Sequence, residues 1–192
     1  LSPLFDSAHP LQQGLDRYVA VFNEAHRDNY ARKLGFERCT ENDVDLIGAL
    51  QGVLVEGEID TTLFFRALAD LDLNAPSIAT FDDAFYDAAK RAAVEPALVA
   101  WLARYAARAK AAGLAQSVRR ARMNAANPKY VLRNYLAQEA IDRAEGGDDA
   151  GVVELLDVMR RPYDEQPSRE KFAAKRPDWA RSRAGCSMLS CS

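Results

Sequence analysis

Asn127–Pro167, NPKYVLRNYLAQEAIDRAEGGDDAGVVELLDVMRRPYDEQP, carries the most closely spaced structural signals in the chain and reads as two helices and a terminating turn. The Asn127 side-chain oxygen suits an N-cap, and Pro128 suits a first helical position, where its missing N–H costs nothing. Val131, Leu132, Tyr135, Leu136 and Ala140 follow at three- and four-residue intervals, which predicts one buried face. Gly146-Gly147 stops this helix, and Asp148 or Asp149 caps the next, whose stripe is Val152, Leu155, Leu156 and Met159. So short a link implies an antiparallel pair. Pro162 ends the second helix by driving the preceding residue out of the α region.

Outward from this hairpin the pattern stays helical. A helix from Pro10 to Leu34 carries Leu11, Leu15, Tyr18, Phe22, Ala25 and Tyr30 as its buried stripe and stops at Gly35. Within it lies His26-Arg27-Asp28, the three letters that open a protein-kinase catalytic loop. The match fails, because position 33 is Lys where the loop needs Asn, and the surrounding period is that of a regular helix. His26 shares a face with Phe22 and Tyr30 and reads as a core or boundary histidine. Thr40 with Asp43 forms a capping-box spacing before Val44, Ile47, Leu50, Val53 and Leu54. Asp60 caps a helix through Leu63, Phe64, Ala67, Leu68 and Leu71.

Thr80 with Asp83 repeats the cap signature ahead of a helix with Phe81, Ala84, Phe85 and Ala88. Glu95-Pro96 then restarts the chain as the alanine-rich helix ALVAWLARYAARAKAAG, ended by Gly113, and a basic helix spans about Leu114 to Ala125. Trp179 is placed to tuck its indole against the body. No alternating β pattern of useful length occurs, so the fold class is all-α, with about eight helices. The acids Asp43, Asp45, Asp60, Asp82 and Asp83 invite a hard-cation reading. Their places at caps and first turns favour helix-end electrostatics instead, and no metal ligand is assigned.

The 192 residues suffice for one domain, at ~100–200 residues each. The first residue is Leu1, which suggests a segment of a longer protein. Hydrophobic residues make up 48% and charged ones 28%, ordinary for a soluble globular chain, and no apolar run approaches the ~20 residues of a membrane span. Glu41–Glu95 holds twelve acids against Arg66, Lys90 and Arg91, whereas Pro96–Gln138 holds eight bases and no acid. That basic block could meet phosphates, or it could be the salt-bridged counterpart of the acidic half. The second reading is favoured, since no aromatic interleaving or nucleic-acid module supports the first. In Arg160, Arg161, Tyr163, Asp164 and Glu165 the charges could dock a protein. The preferred reading is a rigid turn, fixed by Pro162 and Pro167, whose charges pair locally and anchor the tail.

Three cysteines do not make a disulfide scaffold, and a reducing cytosol is the default compartment, so the chain is placed in the cytoplasm. Cys39 lies between helices and reads as a buried or idle thiol. The closing RSRAGCSMLSCS is small, basic and polar and reads as flexible. Cys186 and Cys191, near Arg181 and Arg183, could be exposed thiolates with redox reactivity, or an end that does nothing. No second Cys or His pair completes a zinc site.

NPKYVLRNYLAQ, the Gly-Gly-Asp turn, RRPYDEQP, AHRDNYARKLGF upstream, and KRPDWA and CSMLSCS downstream together resemble the carboxy-terminal region of the selenoprotein O family, also called SelO or YdiU. The resemblance covers nearly the whole chain. It implies the carboxy-terminal helical part of a protein-kinase-like fold, with residues 1–180 as the helical region and 181–192 as a flexible redox tail. It implies a protein adenylyltransferase that uses ATP and Mg²⁺ to move AMP onto Ser, Thr or Tyr hydroxyls. The family's nucleotide and metal residues lie upstream of anything in these 192 residues, so catalytic, cofactor-binding and metal residues are expected to be absent here and the segment alone inert. The implied partners are the upstream kinase-like portion and protein substrates, with neither nucleic acid nor membrane. Family members end in Cys-Ser-Ser or a selenocysteine-containing sequence, and Cys191 stands at the matching place, one serine short. By resemblance the tail can link to a cysteine of the kinase-like portion. The alternative is a helical interaction module that binds an acidic partner through the basic 96–138 face.

Overall fold

The structure is a computed structural model that describes residues 7–186. Among the described residues there are seven α-helices: α1 (His9–Leu34), α2 (Glu41–Glu56), α3 (Thr61–Asp70), α4 (Ala88–Ala111), α5 (Gln116–Ala126), α6 (Asn134–Glu145) and α7 (Ala150–Met159). Three 3-10 helices accompany them at Ile78–Ala84, Glu170–Ala173 and Asp178–Arg181, and no strand occurs among these residues. The all-α reading holds.

Local chemistry explains several boundaries. Thr40 and Asp43 form the capping box of α2, and the Asp60 side chain accepts from the Leu63 N–H at the start of α3. Gly35 closes α1 at φ +76°, a left-handed conformation that glycine adopts without Cβ strain.

Two hydrophobic cores result. The larger joins the carboxy-terminal end of α1 to α2, α3, α4, α5 and the 78–84 turn. Its aromatic centre is Phe64, which stacks on Phe81 at 4.6 Å and lies beside Trp101; Trp101 in turn stacks on Tyr105 at 5.1 Å. The Trp101 indole N–H donates to Leu46 O at 2.8 Å, so its one polar atom is satisfied in the interior. The smaller core holds Tyr130, Tyr135, Leu136, Leu155, Val158, Phe172 and Cys186, and is built by α6, α7 and the segment that follows them.

Several sequence expectations are corrected. Asn127 does not open a helix. It ends α5, and its amide donates back to Met123 O and Lys33 O while its oxygen accepts from Lys33 Nζ. The Lys129 and Tyr130 N–H groups both reach Pro162 O, so the stretch stays extended until Asn134 and Leu132 is exposed. Pro96 does not restart the chain but lies inside the continuous α4. One missing hydrogen bond is outweighed there by an unbroken buried face from Val94 to Ala109. Residues 78–84 form a 3-10 turn capped by Ser77, because Phe81 must reach Phe64 and Ala84 O must accept the Asp60 N–H. In α7, Gly151, Leu155 and Val158 are buried while Val152 and Leu156 are exposed. Val44 of α2 and Leu15, Tyr18 and Phe22 of α1 are also exposed, because among the described residues α1 is covered only near its carboxy-terminal end, where it meets α3 and α5.

Candidate functional site

The polar groups with the greatest potential for chemistry converge where the two cores meet. Asp60 is drawn inward by its capping role on α3, and its backbone N–H is tied to Ala84 O at 2.8 Å. Arg133 immediately precedes α6. Its two terminal nitrogens straddle the Asp60 carboxylate at 2.6 and 3.0 Å, and both side chains are only 2% exposed. The Tyr86 hydroxyl donates to Asp60 Oδ2 at 2.7 Å and accepts the Arg176 N–H at 3.3 Å. Lys175 Nζ adds a 2.7 Å hydrogen bond to Phe85 O.

The electrostatics make this a latch rather than a catalytic base. Burial alone would raise the Asp60 carboxyl, but the Arg133 hydrogen bonds and charge, with the Leu63 N–H and Tyr86 O–H, outweigh it and hold the group below its ordinary range. The Tyr86 phenol is pushed up by burial and by its bond to Asp60. A base needs an available lone pair and a pKa near the working pH. Asp60 has neither, and the constellation holds the smaller core against the larger.

A second set of contacts crosses the same joint. Glu165 pairs with Arg66 of α3 and, at 2.5 Å, with Lys129. Buried Gln166 donates to Val158 O and Arg161 O. The Tyr163–Gln166 turn is therefore anchored as the sequence suggests, but Glu165 does so through partners distant in the chain, where local pairing is the sequence expectation. Gln166 carries no sequence signal that marks it.

The predicted site residues are placed as follows. Cys186 is 1% exposed in the smaller core, and its N–H donates to Arg183 O, so the expectation of an exposed thiolate fails at this position. It is buried in the apolar cluster that includes Ala180, Tyr135 and Phe172, although residues 181–185 before it are exposed. Cys191 lies outside the described residues. Cys39 is half-buried, with its thiol pushed up to about 11, first by burial and then by the Asp43 charge. His26 is half-buried between Phe22 and Tyr30, and His26-Arg27-Asp28 lies in mid-helix. Trp179 meets Tyr135 edge-on at 6.2 Å, as the sequence suggests.

Half of the basic block, Arg108, Arg119, Arg120 and Arg133, is engaged with the acidic half or with nearby carbonyls. Arg108 pairs with Asp43 at 2.8 Å and Arg120 with Asp70 at 2.5 Å. Arg119, fully buried, donates to Leu68 O, Ala69 O and Leu71 O at the end of α3. Among the described residues no three His, Cys, Asp or Glu side chains gather to hold a metal ion. No helix among them is long and apolar enough to cross a membrane.

The family profile described as "Protein adenylyltransferase SelO" matches residues 1–160. The chain belongs to the SelO family. It is 59% identical over all 192 residues to a "Protein nucleotidyltransferase YdiU" of Aromatoleum aromaticum, of which it covers 37%. Identity to proteins of the same name is 58% in Xanthomonas campestris pv. campestris and 55% in an Azoarcus species, again over the whole chain and 37% of each relative. This SelO-family chain therefore spans little more than a third of the curated relatives it matches. These matches establish the nucleotidyltransferase family.

Proposed function

We propose that these 192 residues are the carboxy-terminal helical region of a protein adenylyltransferase that moves AMP from ATP to Ser, Thr or Tyr hydroxyls of other proteins. The observation that carries this reading is the match to the SelO adenylyltransferase profile over residues 1–160. ATP and Mg²⁺ belong, on this reading, to the kinase-like portion outside these residues. Asp43 and Asp60, the buried acids among the described residues, are committed to Arg108 and Arg133. The region's work is support: the larger core completes the helical lobe, and the Asp60–Arg133 latch holds the α6–α7 unit that leads to the tail. Residues 181–192 form the redox-sensitive tail, with Cys191 the thiol singled out by the family likeness. Its working location is the cytoplasm.

The test is transfer of labelled AMP with Mg²⁺, run on these 192 residues and on the polypeptide extended to the length of its relatives. Transfer by the extended form alone supports the reading. Transfer by the 192 residues would overturn the supporting role, and silence from a well-folded extended form would overturn the enzyme reading.

A further inference from the structure

Along α1 the side chains Leu11, Leu15, Tyr18, Phe22 and Ala25 alternate four and three residues apart, the spacing of a helix-packing seam. Nothing among the described residues covers the middle of it: Leu15, Tyr18 and Phe22 are 59%, 65% and 52% exposed, and Val19 beside them is 54% exposed. Tyr18, Phe22, His26 and Tyr30 form a ladder of ring contacts at 5.9, 6.0 and 4.8 Å that runs from the uncovered part of α1 onto the body. There the Tyr30 hydroxyl accepts from Gln51 of α2 at 2.9 Å. Between the two helices lies a groove of about 550 Å³ whose lining includes His26, Val44, Ile47 and Gly48.

The α2 side of this face makes an independent point. Gly48 and Gly52 sit four residues apart in mid-helix, and a Cβ at either would meet nothing within 4 Å. Glycine in a helix interior is destabilising relative to alanine, and neither residue needs a left-handed backbone here. Flanked by exposed Val44 and Val55, they leave a flat strip of backbone where another helix could pack closely.

We propose that this α1–α2 face seats an apolar helix from the part of the SelO-family polypeptide that lies outside these 192 residues. Two features favour that occupant over a second copy. The relatives are nearly three times as long as this chain, which covers 37% of them, so a tethered partner is present at high effective concentration. The seam from Leu11 to Ala25 spans about two heptads, below the roughly three to four that sustain a free coiled coil. The proposal rests on family membership and length, not on AMP transfer.

The test is amide hydrogen exchange on the polypeptide at the length of its relatives, wild type beside Phe22→Asp and Gly48→Leu. In the wild type, residues 11–25 should exchange at least about 100-fold more slowly than an unstructured chain. Both substitutions should speed that exchange by about 10-fold or more while α3 and α4 keep their protection, which separates undocking from misfolding. Gly48→Leu is the sharper variant, because a Cβ at this position meets nothing within 4 Å, so the substitution begins in open space and projects toward the proposed occupant. Fast exchange of 11–25 in the wild type, or no effect of either variant, would overturn the proposal. So would a stable dimer in light scattering that Phe22→Asp converts to monomer, which would assign the face to a second copy. Protection without AMP transfer would leave the docking face standing and refute only the enzymatic reading.

Discussion

Replacing Asp60 by Asn probes the joint between the two cores with little change of shape. The Asn side-chain oxygen can still accept the Leu63 N–H, so the α3 cap survives. The negative charge is lost, and Arg133, with a side chain 2% exposed, is left as an uncompensated buried cation. Breaking such a pair from one side costs about 3–5 kcal/mol. For a chain of this size each kcal/mol lowers the melting temperature by about 2–4 °C, so a drop of roughly 6–20 °C is expected by calorimetry. Arg133→Met should cost a similar amount. The double variant should lose clearly less than the sum, because neither partner is then left as an unpaired buried charge. Amide exchange should localise the damage, with α6 and α7 losing protection before α3 and α4. The acid limb of stability follows from the same group. The folded Asp60 pKa is depressed, so its contribution is full above the unfolded value near ~4 and is lost as pH falls through the folded one. Asp60→Asn should flatten the stability profile in that window. A loss below about 1 kcal/mol, strict additivity, or an unchanged acid limb would refute the latch.

Arg119→Met strips the donors from three carbonyls at the end of α3 and should cost about 2–4 kcal/mol in urea unfolding; a loss within experimental error would mean those carbonyls find other partners. Gly35→Ala forces a Cβ onto a residue at φ +76° and to 2.9 Å from the Arg119 and Met123 side chains. The left-handed backbone alone should cost about 1–2 kcal/mol, measured as a shift of the denaturation midpoint. The thiols of Cys39, pushed up to about 11, and Cys186, 1% exposed, should resist iodoacetamide at pH 8 and react on unfolding. Rapid native labelling of either peptide, read by mass spectrometry, would contradict the packing described.

The order of the chain determined what depends on neighbours a few residues apart. Thr40 with Asp43, Asp60 before Leu63 and the left-handed glycines at 35, 113 and 147 set helix ends through hydrogen bonds and backbone freedom that need no distant partner. The wording of residues 127–191 also marked the family, which the profile match over residues 1–160 and the relatives matched over all 192 bear out. Tertiary structure decided which of those signals prevail. Asn127-Pro128 has the chemistry of a helix start, yet Met123 O and Lys33 O claim the amide, and only folding brings residues 33 and 127 together. Asp60 and Arg133 are 73 residues apart, so neither betrays the other in sequence. Periodicity likewise gave α1 an apolar face without saying whether anything covers it. A helical repeat defines direction about the helix's own axis, whereas burial requires a second surface, and for Tyr18 and Phe22 the described residues supply none. Cys186 shows the converse: a small polar context suggested exposure, and packing against the α6–α7 core removed it from water.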